Sequence, residues 1–522
     1  MRSRRVGTAL LLLAAVSLAG CADVSLRAAR MRAEKLLYQA RHEEERMRLG
    51  GAKPDSAGIA HLRALYGKVR EEVRVPPVDS TAPLTTQHLR VALVVVVGSA
   101  ELNGTRLAIE ANRPGEALEK ARWIMQFAGQ DTFLRREAHF RVIDALQGLR
   151  RYDDAVREMW ATTEQYPPVA PRTPDEQDPI LKMPSLVVML HQQMGDTAAV
   201  SGDLRRGIGY FQGLLARPTP PLLEAQVLVQ LTRSQAQLGD RAMALQSLDR
   251  LDRIVTATPQ LKGGRAEVLC SKGDLQAVPG GNLGAALAAY NEVIKQYANT
   301  PYAPRALVGA GVVEESQGKL PQALARYKAV LDQYGSDSEH GPVAMYRAAM
   351  LQEKMGDWVG AKQLLEAAPL RYPNTRVALE APIGIVQHYQ RTGDIASARA
   401  AFGKAIETYR RLIASDSTST MNVWYRWYVA RCFAGLERWP DALAAIDEMS
   451  LKNRGTALTA NALLEAARIC GQIGNVERRK AYLRRYLADY PNGPDAARVR
   501  AMLGATAGVA GAPGGARAAR KK

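Results

Sequence analysis

Residues Pro301–Gly335 read PYAPRALVGAGVVEESQGKLPQALARYKAVLDQYG. The spacing predicts two helices joined by a tight turn. Leu307, Ala310, Gly311 and Glu314 recur at helical intervals. Gly318 breaks the run, and Ala323, Tyr327, Val330 and Tyr334 restart it on one face. Glycine suits the turn because a left-handed backbone costs it nothing. Small Ala310, Gly311 and Ala323 let two antiparallel helices approach, and Tyr327 and Tyr334 fill the space beside them. One such hairpin cannot bury its apolar face alone, so it needs copies of itself.

The copies are present. The template is a turn residue, Ala five positions later, a large apolar residue four after that, and an aromatic eleven after the Ala. Gly356, Ala361, Leu365 and Tyr372 fit it, as do Gly393, Ala398, Phe402 and Tyr409. Arg150, Ala155, Met159 and Tyr166 fit with Arg at the turn, and Gly474, Leu483 and Tyr490 fit with Arg479 in the Ala position. Asn282 lies close to another turn, followed by Ala286, Tyr290 and Tyr297. Weaker copies sit at Asn112/Ala117, Gly195/Val200, Gly239/Ala244 and Glu437/Ala442. The Ala positions are 117, 155, 200, 244, 286, 323, 361, 398, 442 and 479, spaced 37 to 45 residues apart.

This pattern resembles the tetratricopeptide repeat, through Leu307, Ala310, Gly311, Ala323 and Tyr327, loosely through Val330, and through helix-ending Tyr166-Pro167, Tyr372-Pro373 and Tyr490-Pro491. It departs from the family in its period, longer than the usual ~34 residues, and in lacking most Trp and Gly signatures outside the Pro301 unit. The resemblance covers roughly residues 98–503. It implies an all-α chain, an α-solenoid of about ten hairpins forming a superhelix. It says almost nothing about the ligand.

The N-terminus reads as a targeting segment. Arg2, Arg4 and Arg5 precede an apolar run from Val6 to Ser17, too short to span a bilayer as a mature helix. Leu18-Ala19-Gly20-Cys21 then looks like a bacterial lipobox. That resemblance implies removal of residues 1–20 and acylation of Cys21, with several acyl chains giving stable anchoring. Ala22 stands where Asp retains Gram-negative lipoproteins at the inner membrane, which favours the outer membrane, facing the periplasm.

The net charge of +18 admits nucleic acid as a partner class, but export argues against it. Arg-rich solvated helix faces account for such a charge; so does attraction to anionic lipid, cell-wall polymer or an acidic partner. Arg27, Arg30, Arg32, Lys35, Arg41, Arg46 and Arg48 lie near the anchor, where they are placed to meet lipid phosphates. Beyond Cys21 remain Cys270, Cys432 and Cys470. Cys432 and Cys470 fall late in the first helices of consecutive units, so they are either disulfide-bonded or small buried apolar residues. No spacing for a zinc site occurs.

The chain divides into a signal peptide (1–20), a lipidated linker with capping helices (21–80), the repeat array (81–503) and a disordered basic tail (504–522). The capping helices are expected over Ala28–Leu49 and Gly58–Val73, the second capped by Asp55 or Ser56. Val94–Val97 is a β-branched run, read as buried helix because a lone strand has no partner. A longer connection is expected at Gln165–Met183, an irregular stretch around the weakest first helix at Pro259–Gly281, and a Ser/Thr loop at Ser415–Thr420.

No nucleophile elbow, phosphate loop, zinc-protease motif or dinucleotide fingerprint appears. The seven histidines are not paired at ligand spacing. The expectation is therefore a binding protein, without enzyme activity, metal or cofactor. The resemblance implies that first helices line a concave groove. Counted back from each turn, the groove residues are Tyr346, Gln387, Arg391, Trp424, Trp427, Arg431 and Arg468. Three of six Trp lie between 424 and 439, and aromatics with Arg are favoured at hot spots. Packing between repeats is the other reading of Trp424 and Trp427. The Lys/Asn clamp for acidic C-terminal peptides does not match, since Trp427 and Arg431 stand in its places.

The layout also resembles tetratricopeptide lipoproteins of barrel assembly and envelope division. That implies a scaffold or adaptor for other envelope proteins, held at the membrane by its lipid. A module for peptidoglycan or oligosaccharide is the alternative.

Overall fold

A computed structural model describes residues 2–508, with side chains from 23 to 504. The Cys21 side chain, with the acylation read onto it, and tail residues 509–522 lie outside that description. Among the described residues there is no strand. The chain forms two compact units, meeting in sequence at Arg265 and Ala266.

The first unit contains α1 (Arg2–Met47), α2 (Ser56–Glu72), α3 (Leu84–Glu110), α4 (Pro114–Phe127), α5 (Thr132–Gly148), α6 (Tyr152–Gln165), α7 (Met183–Met194), α8 (Thr197–Leu215), α9 (Pro221–Leu238) and α10 (Arg241–Ala257). The second contains α11 (Arg265–Ala277), which opens at the boundary, then α12 (Leu283–Gln296), α13 (Tyr302–Ser316), α14 (Leu320–Gln333), α15 (His340–Lys354), α16 (Trp358–Arg371), α17 (Arg376–Arg391), α18 (Ile395–Ser415), α19 (Asn422–Gly435), α20 (Trp439–Lys452), α21 (Ala457–Gln472), α22 (Val476–Asp489) and α23 (Ala496–Gly508).

From α3 to α22 the helices pair into ten hairpins, and each of the ten Ala-type positions falls on the second helix of one. Ala117, Ala155, Ala244, Ala286, Ala323, Ala361, Ala398 and Ala442 are buried there. Val200 and Arg479 are the exceptions and stay partly exposed, the Arg479 side chain lying beside Gly471 of α21. The close approach is clearest at Gly311: a Cβ there would sit 2.6 Å from the Tyr327 ring, so only glycine admits that tyrosine.

Nine of the turns share one backbone device. The residue after the turn donates its N–H to the carbonyl five positions earlier, as Lys319 does to Glu314 at 2.9 Å and Arg151 to Leu146 at 2.9 Å. This is a Schellman closure, which needs a left-handed residue. Asn112, Arg150 and Glu437 hold it with φ of 56°, 57° and 59°, alongside Gly195, Gly239, Gly318, Gly356, Gly393 and Gly474. The α11–α12 turn differs. Gly280 takes the positive φ, and Asn282 instead caps α12, accepting the Ala285 N–H at 3.0 Å.

The stretch Pro259–Gly281 holds the helix expected within it: a 3-10 turn over Pro259–Gly264 leads into α11, whose Ala266, Leu269 and Cys270 bury against Tyr290. Two other expectations need correction. The first helix starts well before Ala28. Gly504 lies inside α23, so the tail does not begin as loop. The Val94–Val97 run is helix, with Val94 and Val97 buried. By length and composition α3 is apolar enough to cross a membrane, yet over half of its apolar window is buried within the protein. Asp55 caps α2 by accepting from Gly58 N–H at 2.7 Å. Buried Glu44 ties α1 to its neighbours, accepting from Tyr66 of α2 at 2.8 Å and from Arg106 of α3 at 2.5 Å.

Candidate functional site: the first-helix face of the second unit

In the second unit the first helices from α13 onward touch one another in turn: α13 meets α15, α15 meets α17, α17 meets α19 and α19 meets α21. Second helices pack in between, so residues on the outer side of the first helices share one surface. Trp424, Trp427 and Arg431 sit at i, i+3 and i+7 of α19, hence on one side of it. Trp424 is 42% exposed. Trp427 is half-buried and packs against the core around Tyr409, Tyr425 and Phe433. The two readings of the pair therefore divide: Trp427 serves packing, and Trp424 is left for solvent. Arg431 is exposed, its guanidinium 5.4 Å from the Tyr428 ring.

On α17, Gln387 and Arg391 are exposed. Arg391 pairs with Glu353 of α15 at 2.5 Å, and His388 meets the same carboxylate at 2.7 Å. The His388 ring stacks on Trp358 with centroids 3.4 Å apart. Tyr346 of α15 is half-buried, and burial, with the Glu380 carboxylate adding to it, raises its hydroxyl pKa. Arg468 of α21 pairs with Glu465 at 2.5 Å and lines a separate hollow of about 440 Å³ with Arg479 of α22 and Arg498 of α23.

A cavity that the repeat pattern did not reveal lies between α16, α17 and α18. It holds about 340 Å³ and is floored by Leu365, Pro369, Pro382, Ile385, Ala401 and Ala405. Lys362, Glu366, Tyr389, Lys404 and Arg411 rim it. Hydrogen bonds from Trp358 and Lys362 hold the Tyr389 hydroxyl below its ordinary range, the Lys362 ammonium lying 3.1 Å away. The sequence signal was there: two prolines inside helices, each removing one backbone N–H.

The arrangement offers recognition chemistry. Cys270, Cys432 and Cys470 are free, buried thiols. Burial pushes Cys270 and Cys432 up to about 12, which keeps them protonated and unreactive. His139, His191 and His388 each pair with one carboxylate, Glu158, Asp203 and Glu353 respectively. Among the described residues no group of three His, Cys, Asp or Glu is placed to hold a metal ion.

Residues 314–383 match the family described as tetratricopeptide repeat. No curated protein sequence matches the chain. Among solved structures, the chain is similar to a tetratricopeptide repeat protein from Parabacteroides merdae, at 16% identity over 55% of this chain and 99% of that one, with a TM-score of 0.29. It is also similar to yeast Tom70, at 10% identity over 95% of this chain and 96% of that one, with a TM-score of 0.36. Residues 314–383 thus carry the tetratricopeptide-type repeat, within a chain whose described residues are all-α and pair into helical hairpins.

Proposed function

We propose that this protein is a non-enzymatic, lipid-anchored scaffold of the bacterial envelope, facing the periplasm from the outer membrane and docking other envelope proteins. The observation that carries the reading is the adjacency of α15, α17 and α19, which leaves Gln387, Arg391, Trp424 and Arg431 exposed together on one row of first helices. An exposed tryptophan flanked by arginines is the composition of a binding hot spot. Tyr346 and Trp427 support that row from beneath, and Arg468 extends it to α21.

Crosslinking in intact cells followed by pull-down tests the docking surface. Wild-type protein should capture defined envelope proteins, and Trp424→Ala with Arg431→Ala should lose them while circular dichroism stays unchanged. Unchanged capture would remove the surface, and capture of muropeptides in place of proteins would favour the glycan reading. The anchor has its own test: Cys21→Ser should shift the protein from membrane to soluble fractions, and full retention would count against acylation.

A further inference from the structure

Helix α1 carries two apolar faces. Leu26, Ala33, Leu37 and Ala40 are buried against the rest of the first unit. Val24, Met31 and Tyr38 lie on the opposite side and are 69%, 71% and 68% exposed. They are seven residues apart, and seven residues turn a helix to within about 20° of its starting direction. The three therefore form one straight stripe about 21 Å long. Three such residues in line are not the scattered single exposures every surface has.

Helix α3, which packs on α1, has exposed apolar residues of its own: Leu84 and Val91, 71% and 51% exposed, again stand seven residues apart. Met31 and Arg27 of α1 face His88 and Leu89 of α3 across a hollow of about 520 Å³. Asp23 of α1 is tied to the start of α3, accepting from the Thr86 hydroxyl at 2.5 Å and the Thr85 hydroxyl at 3.3 Å. The surface is thus held by two packed helices and is not a loose end.

Its charge is one-sided. Between residues 23 and 42 the only acids are Asp23 and Glu34. Asp23 is taken by the threonines, and Glu34 is paired with Arg30 at 2.7 Å. Arg27, Arg32, Lys35 and Arg41 are exposed and make no ion pair among the described residues. An apolar stripe bordered by unpaired cations is the pattern of a helix that lies in the headgroup region of an anionic bilayer.

We propose that the face shared by α1 and α3 is a membrane-contact surface for anionic phospholipid. It rests on the lipid-anchor reading to this extent: Cys21 precedes Val24 by three residues on the same helix, so acylation there would bring the stripe to the bilayer. The apolar side chains enter the acyl boundary, and the four cations meet lipid phosphates. Acyl chains and face then act as two signals on one helix, and the repeats project from a fixed membrane edge.

The test uses the full chain carrying Cys21→Ser, so that no acyl group contributes, in vesicle sedimentation. Vesicles of phosphatidylcholine alone are compared with vesicles containing roughly a third phosphatidylglycerol, at low and at high salt. Binding should be at least about tenfold stronger to the anionic vesicles at low salt, and the preference should vanish at high salt. Arg27→Glu, Arg32→Glu, Lys35→Glu and Arg41→Glu together should abolish the preference. Met31→Ser with Val91→Ser should weaken binding while leaving its salt dependence. Apolar residues 6–17 give a background independent of salt and of lipid charge, which cancels in the comparison. Equal binding to both vesicle types, or an unchanged preference after charge reversal, would overturn the proposal. If acylated wild-type protein still fractionated with membranes in that case, the anchor would stand and only this face would fall.

Discussion

Arg150 holds a backbone that an L side chain resists. Its φ of 57° closes the α5–α6 turn, as Gly318 closes α13–α14. A side chain in that region costs about 1–2 kcal/mol, and glycine gives back about 0.5–1 kcal/mol of that through unfolded-chain entropy. Arg150→Gly is therefore expected to stabilise the protein by a few tenths to about 1 kcal/mol. Urea denaturation followed by circular dichroism reads this directly, and a destabilised variant would contradict it. Cysteine chemistry gives a second expectation. Burial raises Cys270 and Cys432 from 9.0 to about 12, so the folded chain keeps protons that the unfolded chain releases. A raised acid favours folding below the unfolded value, and that advantage is lost as pH climbs toward the folded value. The melting temperature should thus fall between about pH 9 and pH 12, less so in Cys270→Ala with Cys432→Ala. Iodoacetamide should label neither thiol at pH 8 without denaturant.

At the scale of the helix, the second helices begin on a repeated cap. Asp196, Asp240, Asp357, Asp394 and Asn475 each follow the left-handed glycine, and each side chain accepts the N–H three residues on. One residue thus closes the first helix and the next opens the second. Asn475→Ala should cost about 1 kcal/mol, with Asn475→Asp retaining most of the stability; an unchanged unfolding midpoint for the alanine variant would deny the cap its role. The Arg150 turn was legible in the sequence without a glycine, because the eleven-residue step from Ala155 to Tyr166 locates it, whereas Asn112 and Glu437 lack that aromatic and were marked only by the five-residue step to Ala117 and Ala442. The caps were equally visible in the sequence, yet the template reached from turn to Ala and skipped the residue between. Asn282 does lie close to its turn, as the spacing implied, but its capping of α12 was passed over for the same reason. The cavity between α16, α17 and α18 lay beyond a one-hairpin template, since three helices contribute to it. Trp424 and Trp427 illustrate the same limit: both are tryptophans on one side of α19, and only packing separates the exposed ring from the supporting one.

At the scale of the molecule, a chain of hairpins that each touch mainly their neighbours has stability that adds up locally. Within the second unit, α14 packs on α13 and on α15, and its Tyr327, Val330 and Leu331 are buried. Helix α23 packs chiefly on α22. Opening α23 therefore breaks one interface, whereas opening α14 breaks two and exposes an aromatic core. Hydrogen exchange read by mass spectrometry should show α14 amides protected at least about a hundredfold more than those of α23, with α22 in between. Uniform protection across the unit would mean that it opens as one block and that the hairpins do not behave as separable modules. Ala323→Arg sharpens the test, because Ala323 is fully buried on α14 and a buried unpaired charge is strongly destabilising. Its effect should be greatest in α13–α16 and fade toward α21, the gradient expected when each hairpin is held only by the next.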